Sequence, residues 1–453
     1  MFVVTLPKSA VQDPHVFSLK AKKAGADLLE VLGDLTPNLP SFTSALPILA
    51  SPRRKDPVMP ARLNAAWTDL EKGENAELPP ETTLIHSFHD FEKTPSLPEL
   101  QNIVSALEKD GTACIKIATF IRSFADLLTL QELDASLSSK KRVILGMGPK
   151  AHLSRILSPL RNILTYTFLD GEEETAPGQV PLSLHLLTVH CRHPRIFGLL
   201  AGPEVKSFSP LIHNTLFSLH GIDAVYSVFP TDNLDGEWEN LRALGVEGLS
   251  VTTPWKHDIV SKLTHLDPEG ERLQAVNTVL RERDGSWKGY PLDVEGLLAG
   301  YPFLSDISSV AILGSGGVVP SVIAACERAG IKDIRIFARN EHARNALCRN
   351  FPVHGYPLEE ISVFQGDLIV YAIPEDIPLV LPQAPAGARA LDLRYGRETL
   401  FLREASAKGY HSSDGLPMLL HQALAQFRLF TGITPGEADI KVLHQLLLST
   451  SSR

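Results

Sequence analysis

The chain of 453 residues is poor in cysteine: Cys114, Cys191, Cys326 and Cys348 are its only four, and none falls in a C-x-x-C or metal-ligand spacing. That pattern excludes a disulfide scaffold, implies no metal site, and suits a reduced, cytoplasmic protein. No apolar run approaches the roughly 20 residues of a membrane span. The opening Met1-Phe2-Val3-Val4-Thr5-Leu6 lacks a basic segment and meets Pro7 early, so no signal peptide is expected. Positive charge is short as well. With 43 Lys and Arg against 52 Asp and Glu the net charge is -9, which argues against a nucleic-acid partner. What is present is an apolar fraction of 44%, ample for packed cores. At roughly 150 residues per domain the length suggests about three domains, or two larger ones.

The stretch from Val310 to Arg344 most narrowly limits what the chain does. Val310 to Leu313 is a short apolar run suited to a buried parallel strand, and Gly314-Ser315-Gly316-Gly317 breaks it. Glycines there let the backbone turn sharply and approach a pyrophosphate, whose charge would rest on the free amides of the following helix, Ser321 to Arg328. The third glycine of G-x-G-x-x-G is missing, with Val319 in its place. The acid that would hold a ribose 2′-hydroxyl is missing too: the second strand, Ile334 to Phe337, runs into Ala338-Arg339-Asn340. A cation at that place suits a 2′-phosphate, so the expected cofactor is NADP, with Arg344 a second cation nearby.

The first half alternates short apolar strands with amphipathic helices. Phe2 to Leu6, Leu28 to Leu32, Pro47 to Ser51, Thr83 to Ser87, Ala113 to Ala118, Val143 to Met147 and Leu164 to Phe168 read as strands. Seven strands in βα alternation predict an eight-stranded barrel with one unit compressed, its fourth strand a very short one at Asn75 to Leu78; an open doubly wound sheet is the competing architecture. Chemistry in a barrel belongs at the carboxyl ends of its strands, where Glu30, Arg53 and His89-Asp90 collect. Lys116, between Ile115 and Ile117, either snorkels outward or points into the barrel mouth; pointing inward, a desolvated amine is available for Schiff-base chemistry. Arg155 opens the helix after the seventh of these eight strands, and Thr175 to Gln179 is a polar loop after the last.

Leu29-Glu30, Ser87-Phe88-His89-Asp90-Phe91 with Thr94-Pro95, Lys116-Ile117-Ala118, Ser154-Arg155 and Ala176-Pro177-Gly178-Gln179 carry a resemblance. Over residues 1 to about 190 the chain resembles the type I 3-dehydroquinate dehydratases. The resemblance implies that Lys116 forms the imine with the substrate ketone and that His89 is the general acid/base. It implies that Arg155, Gln179 and Thr175 hold the carboxylate and hydroxyls, with Glu30 and Arg53 beside them. Two family features are absent. The strand-two pattern E-x-R-x-D stands as Glu30-Val31-Leu32-Gly33-Asp34, and the glutamate that follows the strand-three arginine is missing, Asp56 standing one position short of it.

Cys191 to Arg195 reads as the joint between halves, with a new strand at Ile196 to Leu200. Beyond it, Ser207 and Ser209 put two hydroxyls at a helix start, a serine cap or a grip for a carboxylate. Val251-Thr252-Thr253-Pro254-Trp255-Lys256, Ala275-Val276-Asn277-Thr278, Asp293-Val294-Glu295-Gly296, the Gly314 to Gly317 turn and Gly415 to Gln422 complete the set. From about residue 196 to the end these stretches resemble the shikimate dehydrogenases. By that likeness Lys256 and Asp293 are the catalytic pair, Ser207 and Ser209 bind the substrate carboxylate, and Thr252, Asn277 and Gln422 contact ring hydroxyls. Tyr395 stands near the substrate, and Gly314, Ser315, Gly316, Gly317, Arg339, Asn340 and Arg344 meet the cofactor. Ser250 stands where the family has asparagine, Lys206 where it has histidine, and Pro291-Leu292 precede Asp293 where it has N-T.

The expected fold is therefore α/β: a (β/α)8 TIM barrel over 1–193, a substrate-binding lobe over 194–298 and 407–453, and a Rossmann NADP lobe over 299–406. The two likenesses fit consecutive steps, dehydration of 3-dehydroquinate and NADPH-dependent reduction of 3-dehydroshikimate to shikimate, with small-molecule substrates as the partners. Two other readings stand beside it: a dehydrogenase, perhaps acting on quinate, carrying an inactive barrel, and a non-catalytic sensor of the metabolite and NADP.

Overall fold

The computed structural model describes residues 1–108, 112–137 and 140–451. It divides into two compact units, Met1–Glu247 and Gly248–Arg453.

The first unit opens with eight parallel strands: β1 (Phe2–Thr5), β2 (Leu28–Leu32), β3 (Ile48–Ser51), β4 (Trp67–Glu71), β5 (Thr83–Asp90), β6 (Cys114–Phe120), β7 (Arg142–Met147) and β8 (Thr165–Thr167). They pair in the order β7-β6-β5-β4-β3-β2-β1-β8, so the sheet curls round and brings the last strand back beside the first. A side chain spans the seam between β7 and β8. Asn162 Oδ1 accepts the Ile144 N–H at 2.9 Å, and its Nδ2 donates to the Ile144 carbonyl at 3.0 Å, satisfying backbone groups that a neighbouring strand would otherwise pair. This is the nearly closed barrel expected from the strand spacing.

Strand alternation sorts the side chains into two layers. Val3, Leu28, Leu49, Ile85, Cys114, Ala118, Val143 and Leu145 pack together inside. Val4, Leu29, Ile48 and Ala50 face outward against Phe17 and Ala21 of the helix Pro14–Ala24. Because the period is two, Lys116, between Cys114 and Ala118 in that parity, points inward. Outside, the helix Phe124–Ser136 begins with a Ser123/Asp126 capping box and buries Phe124, Leu127, Leu130 and Leu133, one per turn.

The fourth strand is not where the sequence suggested. It is Trp67–Glu71, and residues 75–78 are loop. The pentapeptide Trp67-Thr68-Asp69-Leu70-Glu71 does alternate, but two of its three inward positions, Asp69 and Glu71, are acidic, so it lacks the apolar run that marks the other strands. The trimming is also wider than one unit. Among the described residues no helix separates β2 from β3 or β4 from β5, and only the four-residue helix Met59–Arg62 separates β3 from β4.

After the barrel the first unit continues with β9 (Arg195–Ala201) and β10 (Ala224–Pro230), a parallel pair in register Arg195↔Ala224, and with the helices Ser209–Leu219 and Leu234–Ala243. Strand β9 starts at the joint read from the sequence.

Strand β11 (Val246–Val251), whose last four residues open the second unit, pairs antiparallel with β13 (Thr278–Arg281), which pairs antiparallel with β14 (Trp287–Tyr290); β12 (His265–Leu266) lies parallel to β14. A second sheet is wholly parallel: β15 (Ser309–Leu313), β16 (Asp333–Phe337), β17 (His354–Tyr356), β18 (Leu368–Tyr371), β19 (Arg389–Asp392) and β20 (His411–Ser413). Its order, β17-β16-β15-β18-β19-β20, reverses direction at β15, the switch point at which Rossmann folds bind a dinucleotide. The helix Val319–Arg328 buries Val319, Val322, Ile323 and Cys326 in the core beside Ile312 and Val370. No helix among the described residues is long and apolar enough to cross a membrane.

Candidate active sites

The barrel mouth encloses a cavity of about 310 Å³ whose wall includes Glu30, Arg53, His89, Lys116, Arg155, Thr175 and Gln179, the barrel residues given catalytic or binding roles from the sequence. Lys116 is the centre. Its side chain is 4% exposed, Nζ lies 2.7 Å from Asp69 Oδ2 on β4, and the Tyr166 ring sits 4.0 Å below it. Burial favours the protonated form of Asp69, but the charges of Lys116, Arg53 and His89 outweigh it and hold the carboxyl at about 2. The expected amine in a merely desolvated pocket is therefore an amine with its own counter-ion.

His89 stands on the neighbouring strand, Ser87 pairing across from Lys116. Its Nδ1 is 3.0 Å from Glu71 Oε1 and 3.1 Å from Arg53 Nη1. Arg53 Nη1 also donates to Glu71 Oε1 at 2.8 Å, so the carboxylate takes both the arginine N–H and the Nδ1–H, and the unprotonated nitrogen of His89 is Nε2. Burial lowers the imidazole to about 4, with Lys116 and Arg53 pushing the same way against Glu71, so it is neutral at pH 7. Glu71 itself is held at about 2, chiefly by the bond to His89. Arg53 reaches this pair from a left-handed backbone, φ 55°, that only a tightly held non-glycine residue keeps.

Asp69 and Glu71 are the functional residues that reading the sequence missed, because their strand was sought eight residues downstream. The legible signal was the alternation itself, W-T-D-L-E ahead of Lys72-Gly73. Asp56 does not stand in for the missing family glutamate; it pairs with Arg62 instead. Glu71 supplies that carboxylate from β4.

The rest of the cavity wall is a polar grip. Glu30 accepts from Thr5 Oγ1 at 2.6 Å and from Ser51 Oγ at 3.1 Å, which fixes its carboxylate. Arg155 is 3% exposed, its Nε has no partner in the protein, and burial lowers its pKa to about 10, leaving it charged at pH 7. Gln179 Oε1 accepts from the backbone N–H of Thr175 at 2.9 Å and from its hydroxyl at 3.1 Å, tying the two ends of their loop. Leu32, in place of the family arginine, lines the same cavity.

The second constellation lies in the second unit. Lys256 Nζ donates to Asp293 Oδ2 at 2.5 Å, and Asp293, 1% exposed, accepts on its other oxygen from Asn277 Nδ2 at 2.8 Å. Asn277 Nδ2 also lies 3.3 Å from Gln422 Oε1, on the helix Leu416–Thr431. Four of the expected residues are thus one network. Thr252 lies half-buried just past β11, and Tyr395 half-buried in the turn after β19, where Gly415 N–H bonds the Arg394 carbonyl at 2.9 Å. Ser207 and Ser209 lie in the first unit; Ser207 Oγ donates to Ser209 Oγ at 3.0 Å and accepts the Ser209 N–H at 3.1 Å. That bond is also what a helix-start serine makes, so their part in binding rests on the resemblance.

At the switch point the residues fit a dinucleotide. Gly314 has φ 119°, and a Cβ there would stand 3.0 Å from the Ala372 carbonyl, so β15 leaves the sheet by a turn that glycine alone makes without strain. A Cβ at Gly316 would meet nothing within 4 Å, which leaves its face open to a pyrophosphate ahead of the helix N-terminus. Arg339 is exposed at the end of β16. Asn340 caps the next helix through the Ala343 N–H, 3.0 Å, and Arg344 donates to the Ala338 carbonyl at 2.8 Å, so both shape the turn that presents Arg339.

Comparison with known proteins finds relatives of both halves of the chain. Residues 63–187 match the type I 3-dehydroquinase family, 199–279 the shikimate dehydrogenase substrate binding domain, and 415–441 the shikimate 5′-dehydrogenase C-terminal domain. The shikimate biosynthesis protein AroDE of Chlamydia muridarum is 30% identical over 82% of this chain and 79% of its own length. The NADP(+) shikimate dehydrogenase of Trichormus variabilis is 32% identical over 56% of this chain and 96% of its own. Among solved structures, shikimate dehydrogenase from Aquifex aeolicus aligns with 55% of this chain and 97% of its own, at 27% identity and a TM-score of 0.51. The chain belongs to the family of shikimate-biosynthesis proteins in which a type I 3-dehydroquinase barrel is followed by a shikimate dehydrogenase.

Proposed function

We propose that this bifunctional shikimate-pathway enzyme performs both its steps with the residues gathered above: dehydration of 3-dehydroquinate in the barrel and NADPH-dependent reduction of 3-dehydroshikimate in the α/β region. The observation that carries the dehydratase half is the inward Lys116 held by Asp69 on one side with neutral His89 on the adjacent strand. The amine adds to the substrate ketone and water leaves, giving an imine that withdraws electrons from the neighbouring carbon. His89 Nε2 takes the proton from that carbon, since Nδ1–H is committed to Glu71, and then returns a proton to the departing hydroxyl; hydrolysis of the product imine takes up one water and frees Lys116, so the net loss is one water. Arg155 and Gln179 are the groups suited to the carboxylate and hydroxyls, and Arg155 keeps an unbonded Nε for the purpose.

In the second unit Lys256 is the proton donor. Asp293 holds the Lys256 amine in place through its Oδ2 and Asn277 keeps Asp293 from turning, so a donor N–H is aimed at the carbonyl oxygen as it gains charge. NADPH, when bound, supplies the hydride; the Gly314–Gly317 turn would hold its pyrophosphate and Arg339 its 2′-phosphate. Domain limits of 1–193, 194–298 with 407–453, and 299–406 fit these assignments. We place the protein in the cytoplasm, where its four free cysteines stay reduced.

The test is to supply 3-dehydroquinate and NADPH and follow shikimate. Lys116→Ala should lose dehydration and borohydride trapping of the imine while still reducing added 3-dehydroshikimate. Lys256→Ala should accumulate 3-dehydroshikimate. Failure of the unaltered protein to dehydrate would leave the reading of an inactive barrel standing.

A further inference from the structure

A buried carboxylate outside both constellations makes more contacts than a helix face requires. Glu237, on the helix Leu234–Ala243, is 3% exposed. Its Oε1 accepts from Lys150 Nζ at 2.7 Å, and its Oε2 from the Phe124 N–H at 2.9 Å and Asn240 Nδ2 at 3.0 Å. Lys150 and Phe124 belong to the barrel, and Glu237 lies more than 80 residues further along the chain. Burying that ion pair costs desolvation, so it is weak as a source of stability, but it fixes where the two backbones sit.

Lys150 occupies the loop that leaves β7, and that loop supports the polar side of the barrel cavity in two ways. Behind it, the Gly148 N–H bonds the Pro177 carbonyl at 3.1 Å. Gly178, at φ 78°, packs so close that a Cβ would stand 2.4 Å from the Gly148 carbonyl oxygen. The Thr175–Gln179 turn therefore rests on residue 148. Ahead of it, the short helix His152–Ile156 carries Arg155 to the cavity wall, and a second tether holds that helix. His152 Nδ1 accepts the Val228 N–H at 3.3 Å and stands 3.1 Å from Ser227 Oγ, both on β10. Phe124 completes the contact, edge-on to Phe229 at 5.6 Å and 5.3 Å from Lys150 Nζ.

We infer that Glu237 is a positioning residue for the dehydratase: from beyond the barrel it clamps the loop at Lys150 and thereby sets Arg155 and the Thr175–Gln179 turn at the spacing that grips the substrate. This rests on the dehydratase reading above. Its mark is a division of labour. Asp69, Glu71, His89 and Lys116 stand on β4, β5 and β6 rather than on the loop after β7, so binding should weaken more than imine chemistry.

In the full-length protein, Glu237→Gln, which keeps the shape and removes the charge, should raise the KM for 3-dehydroquinate by about 5–10-fold with kcat within about 2-fold, because a grip displaced by a fraction of an ångström loses binding first. Lys150→Met should reproduce the effect from the other side of the pair, and serves if Glu237→Gln does not fold. Added to Arg155→Ala, Glu237→Gln should do clearly less than it does alone, since one of the two groups it positions is already gone. Reduction of added 3-dehydroshikimate should stay within about 2-fold of the unaltered protein, because this network leaves Lys256 and Asp293 untouched. An unchanged KM, an equal fall in both activities, or a full additional loss in the Arg155→Ala background would each overturn the inference. Absence of dehydration by the unaltered protein would instead overturn the functional reading beneath it.

Discussion

Acid should weaken the first unit well before its carboxylates protonate. Three buried histidines in the barrel are held neutral. His89 is lowered to about 4 by burial and by Lys116 and Arg53, His152 to about 4 by burial, and His185 to about 3 by burial together with His152 and Arg155. Each has a lowered folded-state value against about 6.5 when unfolded, so the unfolded chain takes up the proton first. Their contribution is whole above about pH 6.5 and drains away as the pH falls toward 4. At pH 5 linkage gives about 2 kcal/mol per imidazole, or about 6 kcal/mol for the three. That compares with a total stability of about 5–15 kcal/mol for a typical domain. For a unit of this size 1 kcal/mol moves the midpoint by about 2–4 °C, so calorimetry should show the first unit's transition falling by about 12–24 °C between pH 7 and pH 5. His89→Gln, which has nothing to protonate, should shrink that difference by about a third. A second loss should follow between about pH 4.5 and 2, as Asp69 and Glu71, both lowered to about 2, take up protons. A midpoint that does not move from pH 7 to pH 5, or that moves equally in His89→Gln, would refute the assignment of buried neutral imidazoles.

Asp69→Asn removes the carboxylate that Lys116 Nζ bonds in the buried barrel mouth and should lower the stability of the barrel by about 3 kcal/mol, read as a lower urea midpoint at unchanged slope. Glu71→Ala removes the acceptor that sets the His89 tautomer; dehydratase kcat should fall by about 10–100-fold while borohydride still traps Lys116, and loss of trapping would show that Glu71 does more than orient. Arg339→Asp should raise the KM for NADPH by at least about 10-fold and leave NADH nearly unaffected, whereas equal use of both cofactors by the unaltered protein would remove the role given to Arg339.

Much of this protein was legible in its sequence because the signals are local. The strand, glycine turn, helix and strand from Val310 to Phe337 depend on neighbours a few residues away, and the structure reproduces them within one or two residues at each boundary. Alternation along β6 is equally local and leaves Lys116 only two faces, but that Cys114, Ala118 and with them Lys116 take the inner one was decided by how the barrel packs. Lys256, Asp293, Asn277 and Gln422 are separated by up to 166 residues in sequence, and their types pointed to proton transfer, but that they share one hydrogen-bonded network is a matter of packing. Strand β4 escaped notice because the sequence marks a strand by the apolar surface it buries, and this one turns Asp69 and Glu71 inward. A carboxylate is stable there only beside Lys116, Arg53 and His89, which other strands bring to it once the barrel curls round. The same reason hid Glu237. Its sequence neighbourhood is that of an ordinary amphipathic helix, and only tertiary packing puts Lys150 and the Phe124 N–H within reach of its charge.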